Sequence, residues 1–288
     1  MASDSATEIV YLTFKEGVKP EDPENYDGRV FTDTLEAVKL QSGFQYSSWG
    51  RTVEDENDIV WVVAWKDTTS SIPLSQITSI IAPSSIPITI HTTFTPPVPL
   101  KNLTTTPIVE LAILPFPSAL PFEEKSFINT SLSNLRTALL NIQPSDDDED
   151  LPNAEQQQQR QQGQQEQNSL SPSRAKMGKP GPPRWLSLGW VERPGTVEHA
   201  DSPSGEAELA ALVIGWESVQ EHEAVMGTDA FEKAIAPVRK KMLPGLKVLE
   251  MRYVKFMGQE GKDWKEENDE DEEEDGKNRK KGIEEYGE

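Results

Sequence analysis

The sequence predicts an α+β protein built from one pattern used twice: strand, helix, strand, strand, helix, strand. Three observations lead there. Apolar segments recur in the same order in the two halves, the hydrophobic period switches between two and three-to-four within each half, and a Pro/Thr-rich break separates the halves. The recurring segments are "EIVYLTF" (Glu8–Phe14) with "PIVELAI" (Pro107–Ile113), "IVWVVAWKD" (Ile59–Asp67) with "ALVIGWES" (Ala211–Ser218), and "IPITIHTTF" (Ile86–Phe94) with "LKVLEMRYVKF" (Leu246–Phe256).

Each element has its own warrant. After the first strand, Phe31, Leu35 and Val38 fall three or four apart and form one helical stripe. In the second half, Ile128, Leu132, Leu135 and Leu139 do the same. A hairpin follows in each half. The first runs "FQYSSWGR", then the polar turn "TVEDEND", then "IVWVVAW"; the second runs "RWLSLGWVE", a long loop to Glu208, and a strand ending at Trp216. Ser218 and Thr228 are candidate helix N-caps, with Gly227 separating two short helices. The matching helix of the first half is reduced to "SQITSIIAPSS". Two such ferredoxin-like βαββαβ units, each with one sheet face covered by helices, bury their remaining faces by packing sheet to sheet.

The boundaries follow from composition. Residues 7–95 form the first half, 96–106 a Pro/Thr-rich linker stiffened toward polyproline geometry, and 107–257 the second half. Within the second half, residues 144–183 read as a disordered insert, since nine of the thirteen residues in "EQQQQRQQGQQEQ" are Gln. Residues 258–288 read as a disordered acidic tail containing "EENDEDEEED".

Charge and cysteine content exclude whole function classes. The 288 residues carry a net charge of −21, and the last thirty, with fourteen acids and six bases, account for only −8 of it. A body at −13 repels phosphate backbones, so no nucleic-acid partner is expected, and the aromatic-bearing motif of RNA-recognition domains is missing. With no cysteine, thiolate metal sites and cysteine nucleophiles are impossible. No secretory leader or membrane-length apolar run is legible, so the expected location is cytoplasmic, or nuclear if "KNRKK" acts as an import signal, with no membrane partner. Phosphate-binding loops, HExxH and GxSxG are absent, and the three histidines fall on three separate elements, so neither a metal nor a cofactor is expected.

The segment "LVIGWESVQEHEAVMGTDAFEKAI" (212–235) resembles the strand and two helices of the dimeric α/β-barrel superfamily, close to antibiotic-biosynthesis-monooxygenase-like domains. Trp216, Glu217, Ser218, His222, Thr228 and Phe231 match that pattern in order. The likeness extends over Leu209–Phe256, with "VVAWKD" its clearest trace in the first half. It implies an intrachain pseudo-dimer, in which both barrel halves come from one chain. It also implies a cavity between sheet and helices for a small, often aromatic ligand. His222 would be the catalytic base there, with Trp190, Trp216, Val219, Met226 and Phe231 shaping the pocket; the alternative for His222 is a satisfied, partly buried packing residue with no chemistry. The haem-binding branch of the superfamily carries its proximal histidine where this chain has Ile235, and an isoleucine cannot ligate iron. Trp49, Trp61 and Trp65 read as core packing on one sheet face. Two function classes follow. One is a cofactor-independent monooxygenase or cyclase acting on a small aromatic or polyketide-like compound; the other is a non-catalytic ligand-binding or protein-interaction module of the same fold.

Overall fold

Side chains alternate faces along a strand, so a strand that is apolar throughout must be covered on both sides. Strand β3 (Asp58–Trp65) shows the result: Val60, Val62 and Ala64 join one buried cluster, while Ile59, Trp61, Val63 and Trp65 join another. The computed structural model describes residues 5–142 and 181–261; the Gln-rich run and the "EENDEDEEED" tail lie outside the described residues.

In chain order the other elements are β1 (Ala6–Thr13), α1 (Tyr26–Lys39), β2 (Phe44–Thr52), β4 (Ile88–Thr92), β5 (Ile108–Pro117), α2 (Phe122–Leu140), β6 (Trp185–Arg193), β7 (Thr196–Glu198), β8 (Glu206–Trp216), α3 (Val219–Met226), α4 (Asp229–Arg239) and β9 (Arg252–Gly261). The strands pair antiparallel in the order β5-β9-β2-β3-β1-β4-β6-β8, and β8 pairs back to β5. The sheet therefore closes into an eight-strand barrel, with β7 an added ribbon on β8. Closure leaves no open edge among these eight strands, which removes the usual hazard of unpaired backbone.

The barrel interior is mainly aliphatic, with Ile9, Val62, Ile90, Val109, Leu111, Leu209, Val213 and Val254, and also holds Tyr46, Phe94 and Phe256. Outside it, α1 lays Phe31, Leu35 and Val38 on one sheet face, and α2 lays Ile128, Leu132, Leu135 and Leu139 on another. These are the stripes expected from the sequence. Helix α1 starts where Asn25 Oδ1 accepts from Gly28 N at 2.7 Å. Both expected caps of the second half form: Ser218 Oγ accepts from Glu221 N and Thr228 Oγ1 from Phe231 N. In the first half only a short 3-10 turn, Leu74–Ile77, stands where the second half has α3 and α4. Trp49 opposes Trp61 across β2 and β3, and both rings pack on Phe31, at 4.9 and 5.4 Å.

Two readings of the sequence are corrected and one is extended. Ala6 opposes Trp65 as Ile108 opposes Trp216, so Glu8 corresponds to Glu110 and Phe14 to Phe116, and the match of Glu8 with Pro107 is three residues out of register. An odd shift exchanges the two faces of a strand, which is why the error matters for the site. The linker between the halves also does more than the sequence reading gave it: Val98 and Leu103 are buried in the interior cluster with Leu100 against them. It connects the end of β4 to the start of β5 and so plugs that end of the barrel. Finally, β9 runs to Gly261, four residues into the segment read as tail, because its partners on β2 extend to Tyr46.

Leu103 is fully buried, so Leu103→Ala should cost about 2–5 kcal/mol in chemical denaturation. An unchanged midpoint would mean that the linker does not plug the barrel.

Candidate functional site

Strand β5 directs Val109, Leu111 and Ile113 into the barrel, which turns Glu110 outward toward the helices. This is the position that β1 gives Glu8. Both carboxylates are buried, at 4% and 0% exposure, and each accepts from the indole of the tryptophan ending a neighbouring strand: Trp216 Nε1 to Glu110 at 2.7 Å, Trp65 Nε1 to Glu8 at 2.7 Å. Each also has a buried histidine beside it. His222 Nε2 lies 3.5 Å from Glu110 Oε2, and His91 Nε2 3.8 Å from Glu8 Oε1.

The two sites differ in how many donors they offer the carboxylate. Glu8 also accepts from Ser71 Oγ and from the backbone N–H of Ile72 at 3.1 Å. His91 is held by Arg193, whose Nε donates to Nδ1 at 3.2 Å, and its Nε2 meets Ser70 O at 3.1 Å. Burial lowers the His91 pKa, so the ring favours the neutral form. With these partners the first-half cluster ties the segment after β3 and the end of β6 onto β1 and β4.

Glu110 has fewer donors. Burial pushes its pKa up to about 7, and only the hydrogen bond from Trp216 opposes that shift. His222 comes from α3, which Ser218 caps at one end and Gly227 terminates at the other. Its ring lies 4.8 Å from that of Trp216, and its Nδ1 is 2.5 Å from the hydroxyl of Tyr253 on β9. Burial lowers the His222 pKa to about 4, so the imidazole is neutral at physiological pH. The Tyr253 pKa is raised by burial first and then by Glu110, Glu223 and Glu54, so the phenol keeps its proton. A protonated phenol donates to Nδ1, which leaves the Nε2 hydrogen facing Glu110. Tyr253 and His222 are thus hydrogen-bonded to each other, and His222 Nε2 stands 3.5 Å from Glu110 without a hydrogen bond, so the three groups form one buried cluster across β9, α3 and β5. The cluster can hold, accept or pass on a proton.

Of the residues singled out from sequence, Trp216 stacks on His222, and Phe231 shares its apolar layer, buried at 8%. Val219 and Met226 are partly buried on α3, where Val225 is fully covered, so the buried stripe runs through His222 and Val225. Trp190 packs against the same outer layer but away from His222. It opposes Ala210, six residues before Trp216 on β8, about 20 Å along the strand. There its indole donates to Asn129 Oδ1 at 2.7 Å, under Lys125. Ile235 packs in the apolar layer of α4. Glu110 and Tyr253 were not picked out from sequence. The available signal was one acid at an outward position of the otherwise apolar "IVELAIL".

No family model and no curated protein matches the sequence. Solved structures do resemble the fold. An anthrone oxidase-like protein superposes with a TM-score of 0.50 at 11% identity, covering 90% of this chain and 94% of that one. A Lactobacillus acidophilus NCFM protein provisionally assigned as a monooxygenase gives 0.43 at 8% identity, over 90% and 96%. A protein provisionally assigned as a chlorite dismutase gives 0.48 at 11%, over 89% and 96%. The chain has the dimeric α/β-barrel fold.

The opposed pKa shifts make a pH prediction. Glu110 binds its proton more tightly folded than unfolded, so its contribution to stability is full below about pH 4.5 and is lost as pH rises toward 7. His222 binds its proton less tightly when folded, so its contribution grows as pH rises from 4 to 6.5. The two slopes largely cancel in the wild type. Relative to wild type, Glu110→Gln should therefore gain stability as pH rises through this window, on the order of 3 kcal/mol, and His222→Gln should lose a similar amount. Urea denaturation between pH 4.5 and 7 checks both signs; parallel curves for all three proteins would refute the shifts.

Proposed function

We propose that this chain binds a small aromatic or polyketide-like molecule between the sheet and α3, and acts on it as a cofactor-independent monooxygenase or cyclase. The observation that carries the reading is Glu110. A carboxyl with a pKa near working pH, in a water-poor layer, suits a general base, because correct protonation and driving force are then both favourable. His222, shifted far below that range, is the neutral bridge between Glu110 and Tyr253 rather than the base itself. Glu110 removes an acidic proton from the ligand. Tyr253 and His222 hold the remaining proton positions and stabilise the developing oxyanion. The carbanion then meets dioxygen in an oxygenase, or a carbonyl of the same molecule in a cyclase. The likeness to an anthrone oxidase-like structure supports the fold of this reading, and the chemistry rests on the side chains. The two diverged halves act as an intrachain pseudo-dimer, the first half keeping its glutamate as a structural tie.

A second reading has its own observation. His222 and Glu110 are each about 4% exposed and engage one another, Trp216 and Tyr253, the state of a packed polar cluster in a binding or interaction module.

Anthrone is the direct probe, since its oxidation consumes one dioxygen and gives anthraquinone and water. The proposal predicts oxygen uptake by the full chain, reduced about 100-fold or more in Glu110→Gln, with the melting temperature shifted by anthrone in both proteins. Binding without uptake favours the second reading. Neither binding nor uptake, with anthrone or with phenols and quinones, sinks the enzyme.

A further inference from the structure

A cavity opens at the end of the barrel opposite the linker plug. There β1, β2 and β3 meet at Thr13, Thr52 and Asp58, and β4 and β9 begin. The cavity has a volume of about 240 Å³ and is lined by Tyr11, Thr13, Thr52, Asp58, Ile88 and Arg252, among others. Most of its polar groups already have partners. Thr13 Oγ1 donates to Asp58 Oδ1 at 2.7 Å, the Thr13 amide donates to Ser85 Oγ at 3.2 Å, and Thr52 Oγ1 donates to Asp55 O at 2.8 Å.

Two do not. The Tyr11 hydroxyl oxygen is buried with no hydrogen-bond partner among the described residues. Such an orphan costs stability and asks for an explanation. Among the described residues the Arg252 guanidinium reaches only Glu250, at 3.7 Å, too long for a hydrogen bond, which leaves its donors available. The two groups are neighbours: the charge of Arg252 partly offsets the rise that burial imposes on the Tyr11 pKa. The phenol keeps its proton and can only gain by donating it. Around this donor pair the walls are mixed: Thr13, Thr52, Ser84 and Ser85 contribute polar surface, and Val60, Ile88 and Ile86, the last 86% exposed, form one apolar side.

We propose that this cavity binds a small monocarboxylate with an apolar body, its carboxylate paired to Arg252 and hydrogen-bonded by Tyr11. A planar guanidinium and a phenol match two carboxylate oxygens. Asp58 on the rim and the acidic surface of the chain disfavour a phosphate dianion. The site is separate from the Glu110 cluster, which faces outward near the other end of β5.

Isothermal titration of the full chain with hexanoate and with benzoate tests this, using hexanamide and benzamide as uncharged controls. Saturable binding of at least one carboxylate is expected, with its amide bound at least tenfold more weakly. Arg252→Gln and Tyr11→Phe should each weaken the carboxylate at least tenfold. Tyr11→Phe keeps the ring and removes the orphan, so it should fold with an equal or higher melting temperature, and its loss of binding cannot come from unfolding. Equal binding of acid and amide, undiminished binding by Arg252→Gln, or no saturable binding by wild type overturns the proposal.

Discussion

Two hydrogen-bonded seams hold this molecule together, one pairing β2 with β9 and the other β4 with β6. They join residues before the linker to residues after it, and without them each half would expose unpaired strand edges and an apolar sheet face. Backbone must approach backbone closely at both. A Cβ on Gly50 would stand 2.3 Å from Lys255 O, and one on Gly189 2.4 Å from Thr93 O. At the second seam, which registers His91 with Arg193, Thr92 with Val191 and, just beyond β4, Thr95 with Leu188, Arg193 adds a side-chain tie to His91. The linker completes the closure by filling one end of the barrel with Val98 and Leu103.

Closure divides the side chains into an interior and an outer layer. The interior is mainly apolar, and the buried glutamate–histidine pairs sit where the sheet meets the helices. Glu8 and Glu110 occupy equivalent outward positions, yet their surroundings give them different properties. Donors from Ser71 and Ile72 anchor the first in a network, whereas Glu110 keeps one indole donor and a neutral histidine. The same position in the same fold thus carries a multiply anchored carboxylate in one half and, in the other, a carboxyl whose pKa burial raises. That difference arises because α3 and α4 are present only in the second half, bringing His222 over Trp216.

The strands, the stripes of α1 and α2, the caps at Ser218 and Thr228 and the place of His222 were legible because each follows from local period or capping chemistry. The register between β1 and β5 was not. "EIV" and "PIV" align by eye, but the shared features are the glutamate and phenylalanine six residues apart, and only strand pairing reveals which face they take. The linker's burial was hidden for a related reason: three prolines suggest an extended connection, while the burial of Leu103 depends on a cavity that exists only after closure. Trp190 carried no signal of its distance from His222, since strand length, not sequence spacing, separates them. Glu110 was hidden among many carboxylates until the alternation of "IVELAIL" was tied to an inside and an outside.

The protonation state of Glu110 can be read by infrared difference spectroscopy of wild type against Glu110→Gln across pH. The carbonyl stretch of a protonated carboxyl should be present in the wild type at pH 6, fade with a midpoint near 7, and be missing from the variant. A carboxyl that is already fully ionised at pH 6 would contradict the account, because Glu110 would then be an ordinary buried carboxylate with no proton to give or take near neutrality.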